Sequence, residues 1–222
     1  MPNWVMNRVE IEGKEERVQE LLKFVKTEES VFDFNTIIPM PESLNIDSTS
    51  LEDNYISSIL TAINPATKDF GEEKLSGREF VAVLQQVKEA ENYTNLVVDK
   101  KEIVKEYLEK GKIYLSNILN YGHSTWYGWC KKNWGCKWNA CDAEVKDNTI
   151  IFQTPWVEPK PIFDELAKKF PDLIITTWYA EEQIGYYVGK RIYKEGKLEN
   201  DIEFTSGSQE AIEVADYLWL GL

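Results

Sequence analysis

The chain holds one histidine and three cysteines among its 222 residues. No apolar run reaches the ~18–20 residues that a membrane span needs. Each scarcity removes something. The opening Met1-Pro2-Asn3-Trp4 has no basic segment followed by an apolar stretch, so no signal peptide is expected and the expected location is cytoplasmic. Cys130, Cys136 and Cys141 are odd in number and crowded, unlike a secreted disulfide framework, and read as reduced thiols. Together with His123 they give H-x6-C-x5-C-x4-C. Zinc sites favour close pairs such as C-x2-C, where one turn presents two ligands, so no metal is expected. A nucleophile needs a base beside it, and His123 with Cys130 is the one conceivable pair. Nothing in the neighbouring sequence orients that imidazole. No phosphate loop, G-x-S-x-G or G-x-G-x-x-G occurs, so no catalytic residue and no cofactor is nominated.

What is present is a foldable, acidic, aromatic chain. It is 43% hydrophobic and 13% aromatic, with eight Trp, enough to bury a core. The net charge is −13. Such a field repels phosphate backbones and favours basic partners. Its distribution is uneven. Residues 195–222 carry −6, whereas residues 121–140 hold Lys131, Lys132 and Lys137 and no acid at all.

Periodicity suggests the elements. Trp4 to Ile11 alternates as a strand, and Glu15 to Lys26 has the i, i+3, i+4, i+7 spacing of a helix through Val18, Leu21, Leu22 and Val25. Pro39-Met40-Pro41 then marks a boundary. From 42 to 120 the spacing is helical: through Leu51, Tyr55, Ile59 and Ile63, along Arg78 to Glu91, around Ile103, Tyr107 and Leu108, and over Ile113 to Leu119. Turns are expected at Asn64-Pro65, Gly71, Gly111 and near Asn92 to Asn95. Strand patterns return with Trp138 to Lys146 and Thr149 to Trp156 about a turn at Asp147-Asn148. A helix over Pro161 to Phe170 and a strand over Leu173 to Tyr179 follow. A hairpin of Gly185 to Tyr193 with Leu198 to Phe204 comes next, then a last helix from Ser208 as N-cap to Leu218. The expected fold class is therefore α+β. A ferredoxin-like βαββαβ sheet with an extra C-terminal hairpin is built from residues 1–41 and 121–222, and residues 42–120 form a helical insertion. The helices are expected on one sheet face.

Several motifs fit one family. Met1-Pro2-Asn3-Trp4-Val5-Met6-Asn7-Arg8-Val9 with Gly13, Phe34-Asn35 leading to Ile38-Pro39-Met40-Pro41, and Trp126-Tyr127-x-Trp129 all contribute. So do Asn133-Trp134-Gly135-x-Lys137-Trp138-Asn139-Ala140, Thr154-Pro155-Trp156 with Pro159, and Phe170-Pro171. In this order they resemble the YubB-type ferredoxin-like proteins of phages and plasmids, over residues 1–41 and 121–190. The resemblance implies the ferredoxin-like fold and an origin in a mobile element, and it carries over no catalytic residue. Cys136 departs from it, standing where Thr is usual.

Trp126, Trp129, Trp134 and Trp138 lie within thirteen residues, with lysines among them. As a site, His123, Trp126, Trp129, Asn133, Trp134, Lys137 and Trp138 would form an aromatic groove able to stack a ligand or grip a partner side chain. As structure, Trp134 and Trp138 would seal the core, Gly135 would turn the chain, and Asn133 and Asn139 would satisfy backbone groups. Asn3, Asn7 and Asn35 read the same way. Three functions stay open. The first is a non-catalytic protein that binds a host or mobile-element protein with a basic surface, its sharpest form an acidic inhibitor of a host defence factor. The second is an enzyme or small-ligand binder with a Trp-rich pocket at 121–140. The third is a nucleic-acid module on an open sheet face. The third is disfavoured, because Gly185 to Tyr193 has aromatics and bases but not the K/R-G-F/Y-G/A-F-V-x-F/Y motif.

Overall fold

The computed structural model describes residues 2–48 and 98–221, with the backbone alone for 98–108. Two compact units divide the chain: Met1–Met40 with Cys130–Leu222, and Pro41–Trp129.

The first unit is built on a six-stranded antiparallel sheet. β1 (Trp4–Glu12) alternates as its sequence demands, burying Val5, Asn7, Val9 and Ile11 on one face. α1 (Glu15–Phe24) buries Val18 and Leu21. The hairpin β2 (Cys141–Lys146) and β3 (Thr149–Pro155) turns at Asp147, which takes a positive φ of 51°. α4 (Lys160–Lys169) leads to β4 (Ile174–Glu181), and β5 (Val188–Lys194) and β6 (Lys197–Glu203) form the second hairpin. Glu195 and Gly196, both at positive φ, make its two-residue turn. α5 (Gln209–Leu220) ends the unit. The strand order β2-β3-β1-β4-β5-β6 places β1 between β3 and β4, which is the ferredoxin-like order extended by one hairpin.

The face that carries Val5, Val9 and Ile11 holds the main core. Phe152 on β3 lies 4.9 Å from Phe32, 5.8 Å from Phe34 and 6.3 Å from Phe163 of α4. α1 packs beside α4, joined by Phe24 against Phe170 and by the bidentate pair of Arg17 with Asp172. Both edges are solvated, and every residue of β6 is exposed.

The expectation that all helices share one face fails for α5. Ala211, Ala215 and Leu218 pack with Ala180 and Val188, and with Met6 and Trp178, which belong to the other face of the sheet. The small side chains of that stripe let the helix approach the strands closely. Its start was legible: Ser208 Oγ accepts from Ala211 N at 3.2 Å. Ser208→Ala is expected to cost about 1 kcal/mol, read as a lower unfolding midpoint in thermal denaturation.

Two strand starts and one helix also differ. The strand expected from Trp138 begins at Cys141, because Asn139 Oδ1 accepts from Phe34 N and Ala140 N and holds the preceding residues in a turn. The strand expected from Gly185 begins at Val188, since Gly185 and Tyr187 both take positive φ. Residues 126–133, given no helix from sequence, form α3 (Trp126–Asn133).

In the second unit, α2 (Val98–Tyr121) is one continuous helix where two were expected. Gly111 does not break it, since a glycine costs only about 1 kcal/mol against alanine within a helix. The segment after Pro41 is tied to α2: Asn117 Nδ2 donates to Ser43 O at 2.8 Å and Tyr114 OH to Asp47 O at 2.9 Å. The helices expected through Leu51–Ile63 and Arg78–Glu91, and the turns at Asn64-Pro65, Gly71 and Asn92–Asn95, lie outside the described residues.

Candidate functional site

The residues nominated from sequence divide between the units. His123, Trp126 and Trp129 belong to the second, while Asn133, Trp134, Lys137 and Trp138 belong to the first. Trp129 is buried, and Trp126 stands edge-on to Tyr127. A Cβ at Gly128 would come 2.7 Å from His123 Nδ1, so the glycine lets the imidazole lie against α3. Cys130 is in the first unit. Burial pushes its thiol up to about 12, so it stays protonated and is no nucleophile near neutral pH. Cys136 is raised as well, by burial first, and its Sγ donates to Trp138 O at 3.1 Å.

Trp134 is a core residue. It is 4% exposed, donates from Nε1 to Ile38 O at 2.9 Å and meets Phe34 edge-on. Gly135, at φ +85°, makes the tight turn expected of it, and a side chain there would strike Pro161. Asn139 binds Asp33 through Nδ2, Asn35 Oδ1 accepts from Met40 N, and Asn7 Nδ2 donates to Val5 O and Thr154 Oγ1. These amides satisfy backbone and turn groups.

Trp138 and Lys137 instead join the start of β1 to the residue that follows β3. Trp138 lies 6.1 Å from Trp4 and 6.5 Å from Trp156, and the Lys137 ammonium sits 4.6 Å from the Trp138 ring and 5.6 Å from that of Trp156. Trp156 is 46% exposed. Its φ of +66° is an outlier for a bulky side chain. The conformation is held from several sides. Trp156 N donates to Asn3 O, Val157 N to Pro155 O, and Thr154 OH to Val157 O. Asn7, buried beneath, donates to Thr154. A chain of hydrogen bonds from the core thus sets an exposed tryptophan at the end of the sheet. Sequence reasoning used Trp4 and Trp156 only as motif residues and did not place them in the site. Their shared position follows from β1 pairing with β3, where Trp4 faces Pro155.

Two residues past Trp156 the chain turns inward. Glu158, 6% exposed, accepts from Tyr187 OH and from Arg191 Nη1, and Arg191 is itself 8% exposed. Arg191 Nε lies 2.9 Å from Asp201 Oδ1, an ion pair without the alignment of a hydrogen bond. Tyr179 meets Tyr187 at a tilt, 5.0 Å between ring centres, and covers the guanidinium. A Cβ at Gly189 would overlap the Tyr179 ring, so the glycine makes room for it. Burial, then Glu158, raises the Tyr187 hydroxyl above its ordinary range. Burial works against the Arg191 charge, but Glu158 and the other anions outweigh it and its pKa is raised. Tyr193 OH donates to Asp164, which also holds Lys160. Tyr187, just before β5, and Tyr193 within it therefore clamp two carboxylates from the 158–164 segment. None of this was nominated from sequence, because 38 acidic residues offer many equivalent partners.

The face opposite the main core is not open where α5 lies. Trp178 there donates to Glu10 Oε2 at 3.2 Å and lies under Lys190, and Arg8 is over Tyr217 of α5. Among the described residues, no helix is long and apolar enough to cross a membrane.

Residues 133–220 match the family model described as the ferredoxin-like domain in Api92-like protein. The chain is similar to the crystal structure of the protein api92 from Yersinia pseudotuberculosis, with 14% identity, a TM-score of 0.43, and coverage of 94% of this chain and 100% of that one. No curated protein matches it.

Proposed function

We propose that this chain is a non-catalytic binding protein that grips a partner protein through the surface of Trp4, Trp138, Trp156 and Lys137. The observation that carries this is Trp156: an exposed ring held at positive φ against Trp138, which in turn meets Trp4. Backbone strain at a solvent-facing aromatic costs about 1–3 kcal/mol and persists where the surroundings over-determine it. A ring fixed in advance loses little entropy on contact, which suits a binding hot spot. The burial of Cys130, the thiol that would pair with His123, supports the non-catalytic reading.

In its finer form the proposal is a cytoplasmic protein of a phage or plasmid, of the YubB type, acting on a host or element protein with a basic surface. The net charge of −13 supports that choice of partner. An acidic surface can occupy a groove built for nucleic acid, and so inhibit a host defence factor.

Trp156→Ala tests the surface. Partner capture from a bacterial lysate is expected to weaken by about 2 kcal/mol, near thirtyfold. Stability should change by no more than about 1 kcal/mol, since the ring is half in solvent. Equal capture by the variant and the parent, or no protein retained at low salt, would remove the proposal.

A further inference from the structure

Beside the tryptophans, the loop between β4 and β5 has properties of its own. Ile184 is 37% exposed and Tyr186 is 46% exposed. They stand on a backbone that is tied down on every side. Tyr186 N donates to Gln183 O at 3.0 Å, Gly207 N to Gly185 O at 2.8 Å, and Glu181 N to Tyr187 O at 3.3 Å. Tyr187, at φ +46°, is locked inward by its hydroxyl on Glu158. Gly185, at φ +80°, comes so close to α5 that a Cβ would be 2.9 Å from Ile212 Cγ1. Two apolar side chains are thus held out to solvent by a loop with little freedom to bury them.

Acids lie on the loop and on the elements that adjoin it. Glu182 is exposed in the loop itself, Glu203 faces Gly189 across β5 and β6, and Glu210 stands two positions before Ile212. The cations of β5 are engaged elsewhere: Arg191 by Glu158 and Asp201, Lys190 over Trp178 at 4.0 Å, and Lys194 by Glu199. The loop also adjoins the tryptophan surface, since Glu182 N donates to Trp4 O at 2.8 Å.

We infer that loop 182–187 receives a basic, amphipathic segment of the partner protein, with an apolar side chain seated on Ile184 and Tyr186 and Lys or Arg side chains against the acids around them. This rests on the reading of the chain as a binding protein and names the chemistry of its partner. The apolar pair supplies a desolvated centre at little ordering cost, and the acids steer a cationic segment and reject a polyanion or an anionic lipid surface.

The test uses the full chain and a fluorescently labelled peptide of leucine and lysine at amphipathic helical spacing, with a leucine–glutamate peptide of the same pattern as the counter-probe. Anisotropy titrations are expected to show saturable binding of the lysine peptide that weakens with salt. The double variant Ile184→Ser/Tyr186→Ser should bind about tenfold more weakly. So should Glu182→Gln/Glu203→Gln/Glu210→Gln, which removes no apolar contact and decides the matter if the serine variant fails to fold. The control Glu16→Gln/Glu28→Gln/Glu29→Gln, exposed around α1, should bind as the parent does. Absent binding, equal weakening in the control, or equal affinity for the glutamate peptide overturns the inference. If these loop variants matter but Trp156→Ala leaves lysate capture unchanged, the tryptophan surface falls and the loop stands. The reverse pattern removes the loop alone.

Discussion

Glu158→Ala is expected to destabilise the protein by about 3 kcal/mol, the largest loss of any single carboxylate described. Removing one member of a buried ion pair strands the other, at about 3–5 kcal/mol. Arg191 retains Asp201, which is partly in solvent, and this places the cost at the lower end. Tyr187 loses its acceptor in the same step, leaving a half-buried hydroxyl without that partner. Glu158→Gln keeps an acceptor for Tyr187 and should cost less. The order Ala worse than Gln worse than parent, in urea unfolding followed by circular dichroism, is the signature of a charge-dependent latch. A glutamine variant as stable as the parent, with the whole loss confined to the alanine variant, would mean that packing alone matters at this position. Because Glu158 lies two residues from Trp156, its loss should also loosen the exposed ring, read as increased quenching of tryptophan emission by iodide.

Trp134→Ala is expected to cost about 3–5 kcal/mol, the range for deleting a buried aromatic ring and leaving a cavity. The ring meets Phe34, which packs on Phe152, so the loss falls in the main core. The indole N–H also leaves Ile38 O without its donor. Trp134→Phe retains most of the volume and should cost clearly less than the alanine variant. If Trp134→Ala were as stable as the parent and impaired only binding, Trp134 would be a site residue after all, as the sequence cluster allowed.

These two residues illustrate what sequence could and could not convey. β1 was legible because Val5, Asn7, Val9 and Ile11 alternate, and both hairpins because Asp147-Asn148 and Glu195-Gly196-Lys197 are turn-forming sequences between strand patterns. The ferredoxin-like order followed from the succession of elements. α3 was hidden, because Trp, Tyr, Gly and Cys are indifferent helix formers and their spacing reads equally as a cluster. The face chosen by α5 was hidden too. Its stripe of Ala211, Ala215 and Leu218 says that one side is buried, not against which surface of the sheet. In the tryptophan cluster, adjacency in sequence misled: Trp134 and Trp138 are four residues apart, yet one is core and the other faces Trp156. The Glu158–Arg191 pair joins residues on different elements, and charge type alone could not select them from the many acids available.

The position of β1 in the sheet has a consequence for biosynthesis. Both of its neighbours, β3 and β4, begin only at Thr149 and Ile174. The first strand therefore leaves the ribosome with no hydrogen-bonding partner, and all of residues 13–148 must be translated before one arrives. At about 5–20 residues per second this is a wait on the order of ten seconds. During that interval Val5, Val9 and Ile11 lie on an unpaired strand, a natural substrate for a chaperone that shields nascent chains.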